Sequence, residues 1–221
     1  MIRVNKTVEI PPSLQVENCT HYDGQDVQKT LVNDQFGKCY LCEQNPGKDF
    51  EIEHLKPKSE GYSPELKYEW TNLFLACKYC NGRKPNNLEI LNPLIHNIED
   101  CISQRIDYYS KKVEFHSTSD DLSTRQTIEL LDRLFNGKSH IRDVKSKVLF
   151  DDLNREISFF LEMLIQHKTD GNKQNKQIII DLLHLSKEFL GVKYWIIKDS
   201  GMFDEFKDFI VWNKKYEDQL I

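Results

Sequence analysis

Apolar residues recur along this chain at two periods. Phe50, Ile52 and His54 alternate to one face of a short segment that Pro57 closes, the signature of a strand. Leu73, Phe74, Leu75 and Ala76 form a short apolar run suited to a second strand, and residues 78–84 suit a short helix limited by Pro85. Asn45-Pro46-Gly47 reads as a turn, and a polar loop through Gly61 and Pro64 joins the two strands. Upstream, an arm leads into a weakly periodic helix around 26–32 that Gly37 ends. Downstream of Pro93 the pattern is mainly helical. One stretch is marked by Leu122, Ile128, Leu131, Leu134 and Phe135 and stops at Asn136-Gly137. A longer one runs from Ile141 to about Gly171, and two more cover 178–190 and 192–212, the last interrupted near Ser200-Gly201; residues 113–115 suit a short strand. The expected fold is mainly α with one small ββα unit, hence α+β. It divides into an arm and helix (1–38), a finger (39–93) and a helical region (94–221) with a surface for partner docking.

The cysteines give this pattern a chemistry. Cys39 and Cys42 form one CxxC pair, Cys77 and Cys80 a second, and 34 residues separate the pairs. In a reducing compartment such pairs read as metal ligands, and four thiolates are the number that tetrahedral Zn²⁺ takes. The strand–loop–strand unit lies inside this zinc loop. Cys19 and Cys101 lack such partners and read as small buried hydrophobes.

Composition narrows the class. The 221 residues are 39% hydrophobic and 11% aromatic, enough for a core. No apolar run is long enough to span a membrane, and the first thirty residues carry charges throughout, so a cytoplasmic protein with no membrane partner is expected. The net charge is −5 and the isoelectric point near 5.8. A protein that grips nucleic acid unaided is usually basic. Between Glu53 and Lys84, however, six basic residues face four acidic ones, a local +2 against −7 elsewhere.

Glu53-His54, then Trp70-Thr71-Asn72-Leu73, then Cys77-x-x-Cys80-Asn81-x-x-Lys84 resembles the zinc-stapled HNH endonuclease motif, with Asn81 at its third position. Lys38-Cys39-Tyr40-x-Cys42-Glu43, residues 52–58, Tyr68-x-Trp70-x-Asn72-Leu73 and Leu91-Asn92-Pro93 resemble more narrowly the PtuB family, HNH nucleases of Septu and retron-linked antiphage systems. Hydrolysis of a phosphodiester needs an activated water, a cation at the phosphate and a stabilised leaving oxygen. The resemblance implies His54 as general base, Glu53 and Asn81 as ligands of a catalytic Mg²⁺ or Mn²⁺, and Asn72 as the residue that holds the loop and orients His54. It also implies DNA or RNA as substrate, nicking as the natural product, and an ATPase partner, PtuA. The chain itself has no G-x-x-x-x-G-K-[ST].

Taken singly, each residue has a plainer reading: His54 a core histidine, Asn72 a turn residue, Asn81 a helix cap, Lys84 a phosphate contact or a solvated side chain. Tyr40, Tyr62, Tyr68, Trp70 and Tyr79 either stack on bases or wedge into the finger core. The last residues are acidic and aromatic-rich, with Lys207, Lys214 and Lys215 against Asp199, Asp204, Glu205, Asp208, Glu217 and Asp218, a composition suited to a protein partner. The alternative function is a zinc-stapled binding module without activity, against which the intact Glu53-His54 pair argues.

Overall fold

A computed structural model describes residues 1–17, 19–57, 64–138, 141–171 and 173–212. Gly61, Tyr62, Lys214, Lys215, Glu217 and Asp218, named above, lie outside them, as do Lys58 and Glu60 of the charge count.

The finger forms as its periodicity implies. Strand β1 (Phe50–His54) pairs antiparallel with β2 (Leu73–Cys77), Phe50 opposite Cys77 and His54 opposite Leu73. Helix α1 (Gln25–Asp34) lies against one face of this hairpin, where Val27 and Leu31 meet Trp70, Leu73 and Leu75, with Phe50 and Ile52 beside them. The other face, with Phe74 and Ala76, belongs to the main core, which joins Tyr40 and Leu41 to Leu131, Leu153 and Phe189 of the helical region. The hairpin is therefore buried on both sides, and its two faces are separate environments. Helix α2 (Lys78–Asn81) follows β2 directly and is shorter than the sequence implies, although the Lys84 amide still donates to the Cys80 carbonyl at 3.0 Å.

The short α3 (Ile98–Cys101) leads into a second hairpin, β3 (Ser103–Asp107) with β4 (Lys112–His116). Only its second strand was legible in the sequence. Helix α4 (Leu122–Asn136) begins at Asp121, whose carboxylate accepts from the Thr124 amide. Helix α5 (Val144–Asp170) is capped in the same way by Asp143 and ends at Gly171, which holds the left-handed conformation (φ 63°) that a Cβ disfavours. Helix α6 (Lys173–Leu182) stops earlier than the 178–190 periodicity suggests, because Leu183 and Phe189 enter the cores from the segment that connects it to the next helix rather than from one helical stripe. Helices α7 (Leu190–Asp199) and α8 (Phe203–Phe206) then pack Tyr194, Ile197 and Phe206 against Phe160 of α5. Among the described residues no helix is long and apolar enough to cross a membrane. Cys19 and Cys101 are half-buried rather than core residues; the Cys19 thiol donates to the carbonyls of Ser13 and His21.

Candidate nuclease site

The four knuckle cysteines converge. Cys39 and Cys42 sit on the turn after α1, Cys77 closes β2, and Cys80 lies in α2. Their sulfurs all lie within 4.8 Å of one another, with Cys42 and Cys77 3.9 Å apart. A tetrahedral ion with Zn–S bonds of about 2.3 Å sets its sulfurs about 3.8 Å apart, so this donor set fits Zn²⁺. The electrostatics agree. Hydrogen bonds from Cys39, Cys42 and Cys80 push the Cys77 thiol far down, while Cys42 is pushed up by its contacts with Cys39 and Cys77, and Cys80 by burial. Four thiolates this close need a cation to coexist. Gln35, which sequence reasoning passed over, ties this turn to the hairpin: its amide donates to the carbonyls of Lys38 and Leu75 and accepts from the Leu75 amide. A lone glutamine just past a helix end carries no sequence signal for such a role.

His54 ends β1 and is 6% exposed. Its Nε2 lies 3.0 Å from the Lys67 carbonyl oxygen, and its ring meets Tyr22 edge-on at 4.6 Å. A carbonyl only accepts, so this contact fixes the proton on Nε2 and makes Nδ1 the basic nitrogen. The Asn72 side chain is turned not to that ring but to the connecting loop, and holds both its stems. Its Oδ1 accepts from the Lys56 amide at 2.7 Å, and its Nδ2 donates to the carbonyls of Lys56 (3.0 Å) and Leu66 (2.9 Å). Leu66 adjoins Lys67, so Asn72 reaches the His54 tautomer through one peptide unit. Lys6 of the arm adds a brace: its ammonium donates to the carbonyls of Trp70 and Leu73 and lies 3.4 Å from the Trp70 ring centre.

Strand alternation sends Glu53 to the opposite face of the hairpin. There the Lys84 ammonium donates to Glu53 Oε1 and the Tyr40 hydroxyl to Oε2, each at 2.8 Å, and the Glu53 side chain is 8% exposed. Asn81 is half-buried and donates instead to Glu51 Oε2 at 2.6 Å. Lys84 is thus neither a solvated group nor a phosphate contact. In this arrangement Glu53 and Asn81 do not fit a hard divalent cation, because both Glu53 oxygens already have donors and the Asn81 amide is turned to a different carboxylate. An open cleft of about 440 Å³ lies beside the site, lined by Tyr22, Asp23, Gln28, Phe50, Glu51, Ile52 and Asn81. A more enclosed cavity of about 320 Å³ lies on the arm side, between Arg3, Lys6, Asp34, Lys38 and Glu43, and its walls include none of His54, Asn72 and Asn81.

A knuckle of four sulfurs that could hold a metal ion, a hairpin ending in an oriented imidazole, and a helix carrying Asn81 make up a unit of the kind the motif implied. Residues 39–87 match the HNH endonuclease family. The chain is also similar to Septu protein PtuB of Bacillus thuringiensis, 30% identical over 108 residues. That stretch spans 48% of this chain and 40% of PtuB, less than half of either. The family match falls on the finger, within a fold that is mainly helical with small two-stranded sheets.

Proposed function

We propose that the chain is an HNH endonuclease that hydrolyses phosphodiester bonds in nucleic acid, with His54 as general base. The observation that supports this best is the pinned imidazole: the Lys67 carbonyl holds a proton on Nε2, so whenever the ring is neutral Nδ1 is the nitrogen able to accept one, as base chemistry requires. Asn72 acts as a positioning residue, holding the loop stems that set the Lys67 carbonyl. Zn²⁺ on Cys39, Cys42, Cys77 and Cys80 is structural in this reading, since four thiolates leave it no open position. The HNH motif implies a catalytic Mg²⁺ or Mn²⁺ at Glu53 and Asn81, but with Lys84 and Tyr40 on Glu53 and Glu51 on Asn81 these residues do not fit the ion, and no step is assigned to it. A single finger of this kind cuts one strand, so nicked DNA, or cleaved RNA, is the expected product.

By similarity to Septu protein PtuB, we further propose a role in antiphage defence, in the cytoplasm and beside an ATPase partner. The chain's negative charge agrees with a partner that contributes to the grip on the polyanion. The helical region 94–221 is the proposed docking part. The rival reading, a binding module without activity, draws support from the closed Lys84–Glu53 pair.

The deciding experiment is cleavage of plasmid DNA and structured RNA with Mg²⁺ or Mn²⁺, with and without the ATPase, comparing wild type with His54→Ala. Nicking that His54→Ala abolishes is expected. Equal cleavage by the variant would move the active site elsewhere, and no cleavage in any arm would favour the binding module.

A further inference from the structure

Three buried cations gather around the enclosed cavity on the arm side. Arg3, Lys6 and Lys38 are 8%, 8% and 6% exposed, and all three line this space of about 320 Å³ between the arm, the end of α1 and the turn that carries Cys39. Among the described residues their donors go to neutral groups and none of the three is ion-paired to a carboxylate. Lys6 donates to the Trp70 and Leu73 carbonyls, Lys38 to the Lys187 carbonyl at 2.7 Å, and the Arg3 guanidinium to the side-chain oxygens of Asn5 and Asn97. The two acids in the wall are engaged elsewhere: Asp34 accepts from the Thr7 amide and hydroxyl, Glu43 from the Met1 ammonium and the Gly191 amide. Buried charge without a counter-charge is costly, and burial pushes the Lys6 ammonium down to about 7. An ammonium has three donors and a guanidinium five, so each of these cations keeps at least one for a ligand. The rest of the wall is apolar, with Ile2, Val4, Leu185 and the Tyr40 ring.

We propose that this cavity binds a small phosphomonoester of about nucleoside-monophosphate size, its phosphate on Arg3, Lys6 and Lys38 and its compact body against Ile2, Val4, Tyr40 and Leu185. A phosphate dianion suits three cations better than a single carboxylate does, because it brings two charges and three acceptor oxygens to them. The volume exceeds what a bare phosphate fills and lies at the small end of the roughly 300–1,000 Å³ typical of ligand pockets. The walls include none of His54, Asn72 and Asn81, so the site is separate from the proposed nuclease cleft and does not rest on that reading. A ligand there bridges the arm to the turn of Cys39 and stabilises the finger from its far side.

The test is binding to the full zinc-loaded chain, by calorimetry and thermal unfolding. Adenosine monophosphate, cytidine monophosphate and phenyl phosphate are the probes, adenosine and inorganic phosphate the controls. At least one probe should bind at one site per chain and raise the melting temperature. Adenosine should not bind, and inorganic phosphate should bind about tenfold or more weakly, since it buries no apolar body. Lys38→Met and Arg3→Gln should each weaken the probe about tenfold or more, the worth of a hydrogen bond to a charged group. Lys6 also braces the hairpin, so these two variants carry the comparison. No saturable binding of any probe at millimolar concentration would overturn the proposal. Equal binding of either control, or unchanged affinity in both folded variants, would do the same. If neither variant folds, ¹⁵N-lysine NMR of the wild type decides: the Lys6 and Lys38 ammonium signals should move as the probe saturates, and unmoved signals would refute the site. A 5′-phosphorylated oligonucleotide separates the two sources of such a phosphate; the enclosed cavity favours the free mononucleotide, and equally tight binding of the oligonucleotide would overturn that choice. His54→Ala should bind the probe as wild type does, so failure here leaves the nuclease reading standing.

Discussion

Asn72→Ala strikes the joint between loop and base. Asn72 is 4% exposed, and its amide makes three hydrogen bonds to the two stems of the loop, at 2.7, 3.0 and 2.9 Å. At about 1 kcal/mol net for each neutral hydrogen bond, the loss is about 3 kcal/mol. That is a large part of the roughly 5–15 kcal/mol that holds a domain folded. Urea unfolding of the zinc-loaded protein, followed by tryptophan fluorescence, measures it. Asn72→Asp keeps the acceptor for the Lys56 amide but loses both donors and sets a carboxylate against two carbonyls, so at neutral pH it should be at least as damaging. ¹⁵N NMR of the His54 ring supplies the second readout: the wild type should show the proton on Nε2, and Asn72→Ala a mixture of tautomers. A variant within about 0.5 kcal/mol of wild type, beneath the worth of even one hydrogen bond, would refute the clamp. An unchanged tautomer alongside the full stability loss would mean that the Lys67 carbonyl is held independently of Asn72.

Cys77→Ser should release the bound zinc and lower the melting temperature, because a structural thiolate site contributes its binding free energy to folding; zinc content unchanged by mass spectrometry would contradict the four-sulfur assignment, and Cys19→Ser is the control that should keep its zinc. Glu99, 0% exposed, has its carboxyl pushed up from 4.5 to about 7, first by burial. The folded state thus holds a proton that the unfolded chain gives up: the stability is full below about pH 4.5 and is lost as pH rises through 7. At 1.36 kcal/mol per pH unit that loss approaches about 3 kcal/mol by pH 8. Glu99→Gln should remove this dependence in urea unfolding series between pH 4.5 and 8, and parallel wild-type and variant curves would show the carboxyl to be ionised in the fold.

The finger was legible because its signals are local and chemical. Two CxxC pairs fix four ligands whatever lies between them, and a period of two around Phe50–His54 fixes the strand. The long helices were legible from periodicity and from their stops at Asn136-Gly137 and Gly171. What escaped depends on which neighbour a polar group finds. Alternation along β1 sets His54 and Glu53 on opposite faces, yet nothing in the sequence says that Glu53 meets Tyr40 and Lys84 there, or that Asn81 turns to Glu51. The first strand of the second hairpin escaped because Ser103, Gln104 and Arg105 carry no apolar alternation; Gln104 is drawn inside by hydrogen bonds with the Met1 backbone.

The same contacts revise the electrostatic case for nucleic-acid binding. Six basic residues lie between Glu53 and Lys84, but Lys84 is internal to an ion pair and Arg83 is paired with Asp143 across the surface. Lys78 lies 3.6 Å from Asp49 in an exposed pair, an arrangement that contributes little to stability and leaves the ammonium accessible to solvent. Among the described residues, Lys56, Lys67 and Lys78 remain to meet a phosphate backbone. Even with Lys58 added, so few lysines release few counterions, and the affinity that the finger can supply is small and falls with salt. A chain of net charge −5 adds repulsion beyond the finger. If the finger cuts nucleic acid, most of the hold on that substrate has to be supplied by another positively charged surface, and the proposed ATPase partner is where this reading places it.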